Sequence, residues 1–226
     1  MQALLNSLIP NVLEKLPELW ECTKQTLYMM GVSGVISFLI GLVIGVILIA
    51  VRQGGVLQNT ILYSILDKVI NLFRSIPFII LLAGLIPLTR LVMGSAIGTK
   101  GAILPLIFGT VPFFSRQVET ALAEVDDGLV EAAAAMGTSP VGIIFRVYLK
   151  ESIPALTRVT TITVISLIGL TAMAGAIGGG GLGDFAIRYG HQRNQVDVTY
   201  VTVIILLVIV MILQGIGNLI IKKTTH

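Results

Sequence analysis

Residues 27–51 read L-Y-M-M-G-V-S-G-V-I-S-F-L-I-G-L-V-I-G-V-I-L-I-A-V, 25 positions without a charged side chain. A bilayer core about 30 Å thick is crossed by ~20 largely apolar helical residues. The stretch therefore reads as a membrane span, and the solvent of this chain is lipid. Composition agrees: 55% of residues are apolar and 12% charged, with a mean hydropathy of +0.95. A soluble domain carries about 25% charged residues. Ser37, Gly41 and Gly45 recur every fourth position within the span, a small-residue ladder that allows close helix packing.

Working outward, residues 200–221 form a second clean span closed by Lys222 and Lys223, and residues 159–177 a third. Two weaker candidates, 75–89 and 101–115, are each 15 residues long and lie between Arg74 and Arg90 and between Lys100 and Arg116. They cross only if helix continues past the flanking charge, with Arg74 and Arg116 snorkelling toward headgroups. Both contain proline (Pro77, Pro87, Pro105, Pro112), which is tolerated where helices line a cavity. The expectation is an all-α integral membrane protein of five transmembrane helices, residues 26–226. Before it, residues 1–25 carry Glu14, Lys15, Glu18, Glu21 and Lys24 and are interrupted by Pro10 and Pro17. That pattern is unlike a secretory leader and predicts an amphipathic segment on the membrane surface.

The longest polar segment, 116–158, holds four basic and six acidic residues and reads as helix–turn–helix. Asp126 or Asp127 can cap a helix through Ala135. Gly137 suits a left-handed stop, and Ser139-Pro140 supplies an N-cap and a first-turn proline for the next helix. With this segment inside, five spans put the N-terminus outside and the C-terminus in the cytoplasm. Nine basic residues (Arg52, Lys68, Arg74, Arg116, Arg146, Lys150, Arg158, Lys222, Lys223) then face inward against six outward (Lys15, Lys24, Arg90, Lys100, Arg188, Arg193).

Several chemistries are disfavoured. Cys22 is the single cysteine, so neither an internal disulfide nor a cysteine metal cluster is available, and His191 and His226 are not spaced as ligands. No Ser–His–Asp set or pair of buried carboxylates is visible, so an enzyme is not expected. No basic run suggests nucleic acid. An ion-coupled secondary transporter usually places an acid or histidine at membrane depth; here the acids fall in termini or loops, Asp67 being the nearest exception.

Residues 131–154 read E-A-A-A-A-M-G-T-S-P-V-G-I-I-F-R-V-Y-L-K-E-S-I-P. This segment resembles the coupling loop of the permeases of binding-protein-dependent ABC importers: E-A-A, three residues, glycine, nine residues, an apolar residue, one more, then L-P. It matches at Glu131, Ala132, Ala133, Gly137, Val147 and Leu149 and departs at Lys150, where the pattern has proline. The resemblance implies a cytoplasmic ATPase subunit docking on these residues and Ser139. The chain has no G-x-x-x-x-G-K-[ST] loop; no cofactor is expected on it, and ATP-Mg would sit on the partner.

Two further stretches, F-R-S-I-P-F-I-I-L-L at 73–82 and G-A-I-G-G-G-G-L-G-D-F-A-I-R-Y-G-H-Q-R at 175–193, make the chain similar to methionine importer permeases from about residue 20 onward. That likeness implies an inner-membrane homodimer with two ATPase subunits, and an extracytoplasmic binding lipoprotein delivering D- or L-methionine. An importer of another small amino acid remains the alternative.

Arg74 either holds a helix kinked at Pro77, faces a pathway, or snorkels. Ser166, Thr171 and Met173, among many small residues, suit a pathway or gate, or plain core packing. The glycine run 178–181 ends the fourth span. Asp184, Arg188, His191 and Arg193 follow it as binding-protein docking contacts or a solvated loop.

Overall fold

The computed structural model describes residues 8–224, and every described element is helical. The first seven residues of the expected surface segment, and His226, lie outside the described residues. A short helix α1 (Pro10–Glu14) is followed at once by α2 (Leu16–Val51). Residues 16–25 thus continue into the first span as one helix, because Pro17 falls in its first turn, where a missing N–H costs nothing.

After α2, Gly54 at φ 77° turns the chain. The side chain of Asn59 then caps α3 (Thr60–Ser75) by accepting from the Leu62 N–H at 3.0 Å. That helix stops because Ile76 precedes Pro77: the proline ring disfavours helical backbone before it, and Ile76 is extended with ψ 122°. Two short helices follow, α4 (Phe78–Gly84) and α5 (Ile86–Met93), the latter ended by Gly94 at φ 76°. Next come α6 (Gly98–Ala123), α7 (Asp127–Ala135) and α8 (Pro140–Ile143). A π-helical turn, Ile144–Tyr148, runs into α9 (Leu149–Glu151), and α10 (Ile153–Ala174) begins after a break at Ser152. A second π turn, Gly175–Gly179, leads to α11 (Gly181–Phe185), a third, Ala186–His191, and finally α12 (Val196–Thr224).

Four stretches among the described residues are long and apolar enough to cross a membrane: Leu16–Val51, Gly98–Ala123, Ile153–Gly179 and Val196–Thr224. The weak candidate at 101–115 is part of a real 26-residue helix that runs straight past Arg116. The candidate at 75–89 is cut by the Ile76–Pro77 break and again at Leu85, so neither α4 nor α5 reaches spanning length by itself.

The chain divides into two compact units. One comprises the described parts of Met1–Val35, Pro77–Ile107 and Val164–Leu213. Its core gathers Val12, Leu19, Cys22, Leu182, Phe185, Tyr189 and Val198. Asn11 ties α1 to the start of α12, donating to Asp197 from its backbone N–H and its side-chain amide, both at 3.0 Å.

The other unit comprises Ile36–Ile76, Phe108–Thr163 and the described part of Gln214–His226. Ile49, Phe114, Val118, Leu122, Ala133, Ile143 and Tyr148 are buried together in it. The small-residue ladder finds its partner here. A Cβ on Gly41 would meet Phe114 Cδ1 at 2.7 Å, and one on Gly45 the Ser115 carbonyl at 2.8 Å, so the α2 backbone lies against both a side chain and the backbone of α6, with no room for a methyl group.

Candidate functional site

In the helix–turn–helix stretch, Asp126 caps α7, its carboxylate accepting from the Gly128 N–H at 2.6 Å. The helix closes at Met136. Gly137 takes φ 79°, a left-handed conformation that costs any L-residue bearing a Cβ roughly 1 kcal/mol or more. The Thr138 N–H then donates back to the Ala133 carbonyl at 3.0 Å, sealing the end. Ser139 accepts from the Gly142 N–H at 3.2 Å and starts α8 with Pro140 in its first turn. Beyond Leu149 helix continues to Glu151 despite Lys150, and the chain breaks at Ser152, two residues ahead of Pro154.

The elbow has an inner and an outer face. Ala133 is buried against Ile143 and Tyr148, with Val147 and Leu149 packed around them. Those three motif positions therefore hold the elbow to its own unit. Glu131, Ala132, Gly137 and Ser139 are exposed. So are four large apolar side chains that no sequence motif marks: Leu129, Met136 (79% exposed), Val141 and Phe145 (65%). Uncovered apolar groups on a polar loop are suited to contact with another protein or with lipid. Of these only Met136 stands at the turn itself; Leu129, Val141 and Phe145 are apolar helix residues whose exposure no local pattern reveals.

Ion pairs brace the same unit. Arg52, just past α2, reaches Asp127 at 3.6 Å. Arg116 joins Asp67 of α3 and Glu119 of its own helix, the latter at 2.6 Å, and the Tyr63 hydroxyl donates to Glu119 at 3.0 Å. Arg116 is thus held by protein carboxylates. One expectation is corrected here: Glu119, at 7% exposure inside a candidate span, is no loop residue. A buried carboxylate needs such partners, and Tyr63 and Asp67 lie on α3, too far along the chain for any local pattern to reveal the pairing.

The pathway candidates separate. Ser166 and Met173 are exposed on the same side of α10, seven residues apart, with Gly169 between them, whereas Thr171 is buried on the other side and donates to the Ile168 carbonyl at 2.7 Å. Pro77 is exposed at the α3–α4 break, and Arg74, also exposed, forms no ion pair among the described residues.

The glycine run departs from helix at Gly178 (φ 93°), Gly180 (φ 77°) and Gly181 (φ 78°). Two side chains of α2 hold it: Gln25 accepts from the Gly181 N–H and Thr26 from the Leu182 N–H, each at 2.8 Å. Of the residues after it, Asp184 and Arg188 pair at 2.9 Å, and Arg188 also reaches Glu18 at 2.8 Å. Burial works against the Arg188 charge, but the Asp184 and Glu18 carboxylates outweigh it and hold the guanidinium above its ordinary pKa. Tyr189 donates its hydroxyl to Glu18 at 2.7 Å, and that hydrogen bond, with burial, raises its pKa. Its ring is flanked by Lys15, Arg188 and Arg193, 4.7 to 5.3 Å from the centroid. His191 and Arg193 are exposed. No group of three His, Cys, Asp or Glu side chains among the described residues has metal-site geometry.

The family model described as binding-protein-dependent transport system inner membrane component matches residues 37–226. A probable D-methionine transport system permease protein of Vibrio cholerae is 45% identical over 204 residues, covering 90% of this chain and 91% of that protein. A methionine import system permease protein of Bacillus subtilis is 45% identical over 211 residues, covering 93% and 94%. A solved chain of the MetNI methionine ABC transporter, in an inward-facing conformation, superposes with a TM-score of 0.90 at 41% identity, over 96% of this chain and 99% of that one.

Proposed function

The chain belongs to the family of binding-protein-dependent transport system inner membrane components, and from that premise we propose that it is the permease of an ATP-driven methionine importer. It works as an inner-membrane homodimer with two ATPase subunits that carry ATP-Mg, fed by an extracytoplasmic methionine-binding lipoprotein. The methionine permeases it resembles over nine-tenths of its length support the substrate. This chain binds no nucleotide and catalyses no reaction; it forms the pathway.

The observation that carries the reading is the elbow: an apolar outer face, Met136, Val141 and Phe145, on a turn whose inner face is built into a packed core. An ATPase docked on Glu131, Ala132, Gly137 and Ser139 would move the elbow, with Ala133, Val147 and Leu149 passing the displacement to Tyr148 and α6. The loop is then cytoplasmic, the C-terminus is cytoplasmic and the N-terminus outside. This orientation needs a fifth crossing, and α4 with α5 supplies it, spanning 78–93 with a kink at Leu85. Pairing of Glu119 with Arg116 and Tyr63 also favours an external energy source, since that carboxylate is occupied by protein groups.

On alternating access, ATP binding draws the two elbows together, closing the inner mouth and opening the outer one; hydrolysis reverses it. Arg74, Pro77, Ser166, Thr171 and Met173 are assigned to the pathway or its gate, with Ser166 and Met173 facing it and Thr171 and Pro77 shaping the helices behind. His191 and Arg193 contact the binding protein, and Asp184 and Arg188 shape that surface through their pairing. The test is uptake of labelled methionine into proteoliposomes holding the whole importer. Uptake should require ATP on the ATPase side and vanish in Gly137→Asp; uptake driven by an ion gradient without ATP would overturn the assignment.

A further inference from the structure

A groove of about 320 Å³ opens beside the elbow, between the end of α6 and the start of α10. Glu124, Asp126, Glu151 and Arg158 line it, with Ser152 in its wall. Three carboxylates against one guanidinium leave the lining net negative by two. Asp126 is committed to the α7 cap. Glu124 and Glu151 are exposed and take part in no ion pair or hydrogen bond among the described residues, and Arg158 does not come within pairing distance of either.

Ser152 supplies the second observation. It is 2% exposed, and its hydroxyl has no hydrogen-bond partner among the described residues. Ser75 and Ser115 satisfy theirs by donating to the carbonyl four residues back, at 2.7 and 2.8 Å; Ser37 in α2 is unmet like Ser152, but only Ser152 lines the groove. A buried hydroxyl left unmet costs about 1–3 kcal/mol, so a group arriving from outside has something to gain there. The groove also shares Leu129 with the uncovered apolar face that continues over Met136, Val141 and Phe145. A partner seated over Leu129 lies at the edge of the groove.

We propose that the groove receives a basic side chain, arginine or lysine, from the ATPase subunit docked on the elbow, its cation held between Glu124 and Glu151 and its N–H donated to the Ser152 hydroxyl. The inference rests on the coupling role of the elbow and adds to it an ionic anchor. Through Ser152 the anchor grips the break just ahead of α10, and through Glu124 the chain just past α6, so the ATPase holds both flanks of the elbow at once.

The experiment measures ATPase-subunit affinity for the permease in lipid nanodiscs across a series of KCl concentrations. The Glu124→Gln/Glu151→Gln permease should bind about fivefold or more weakly at low salt and lose most of the wild-type salt dependence. Ser152→Ala should weaken binding while keeping the slope. Both carboxylates are exposed, so these variants keep the wild-type melting temperature, which is checked alongside. Equal affinity and equal slope in the double variant would overturn the anchor, as would restoration of its wild-type slope by adding free arginine. If Phe145→Ser abolishes binding while the groove variants bind normally, the elbow stands and only the anchor falls. If the wild-type permease binds no ATPase, the coupling role itself has failed.

Discussion

Gly137 stands at φ 79° with nothing within 4 Å of where a Cβ would lie. A side chain there meets no clash inside the chain; what it meets is the backbone strain and whatever docks outside. Gly137→Asn, a residue that tolerates left-handed backbone, should lose well under about 1 kcal/mol of stability. Gly137→Asp should insert and melt like Gly137→Asn yet abolish transport, because it sets a charge on the contact face. A differential-scanning melt paired with an uptake assay separates the two effects. Arg116 is a different kind of residue. Its guanidinium is the single cation among the described residues pairing with both Asp67 and Glu119, so Arg116→Ala strands the Glu119 carboxylate and should cost about 3 kcal/mol. Restoring much of that loss by adding Glu119→Gln would identify the uncompensated charge as the cause; an additive double variant would refute it.

At the scale of elements, legibility followed the range of the forces involved. The Asp126 cap, the Gly137 stop and the Ser139-Pro140 start are governed by neighbours within four residues, and each sits where the sequence placed it. The end of α6 did not, because burial of Arg116 and Glu119 depends on Asp67 and Tyr63 about fifty residues earlier. The break at Ile76 was visible as Pro77, but the join of α4 and α5 at Leu85 was not, since Pro87 lies in the first turn of the new helix rather than at the join. Within the site, motif spacing marked the turn and missed the exposed Met136 and Phe145, which belong to no repeat. The glycine turn offers its own prediction. Thr26→Val keeps the shape of the side chain but removes the acceptor for the buried Leu182 N–H. Stability should fall by about 1–3 kcal/mol, and amide exchange at residues 181–183 should accelerate ahead of that in α2. Unchanged exchange there would show that Thr26 does not hold the turn.

For the molecule as a whole, the family assignment accounts for a chain that exposes so much apolar surface. Only 11% of the most hydrophobic window of α12 is buried within the chain, so lipid or a second copy must cover the rest. That helix has a further consequence. Its 29 residues measure about 44 Å end to end, while its uncharged stretch from Tyr200 to Ile221 measures about 33 Å, close to the hydrocarbon depth of an ordinary bilayer. Lys222 and Lys223 fix where the apolar part must stop. With little of its own protein to brace it, the helix is left to the host membrane for its tilt. Reconstituted into short-chain lipids it should lean and turnover should fall; lipids of native acyl length should restore the rate without any change in the protein.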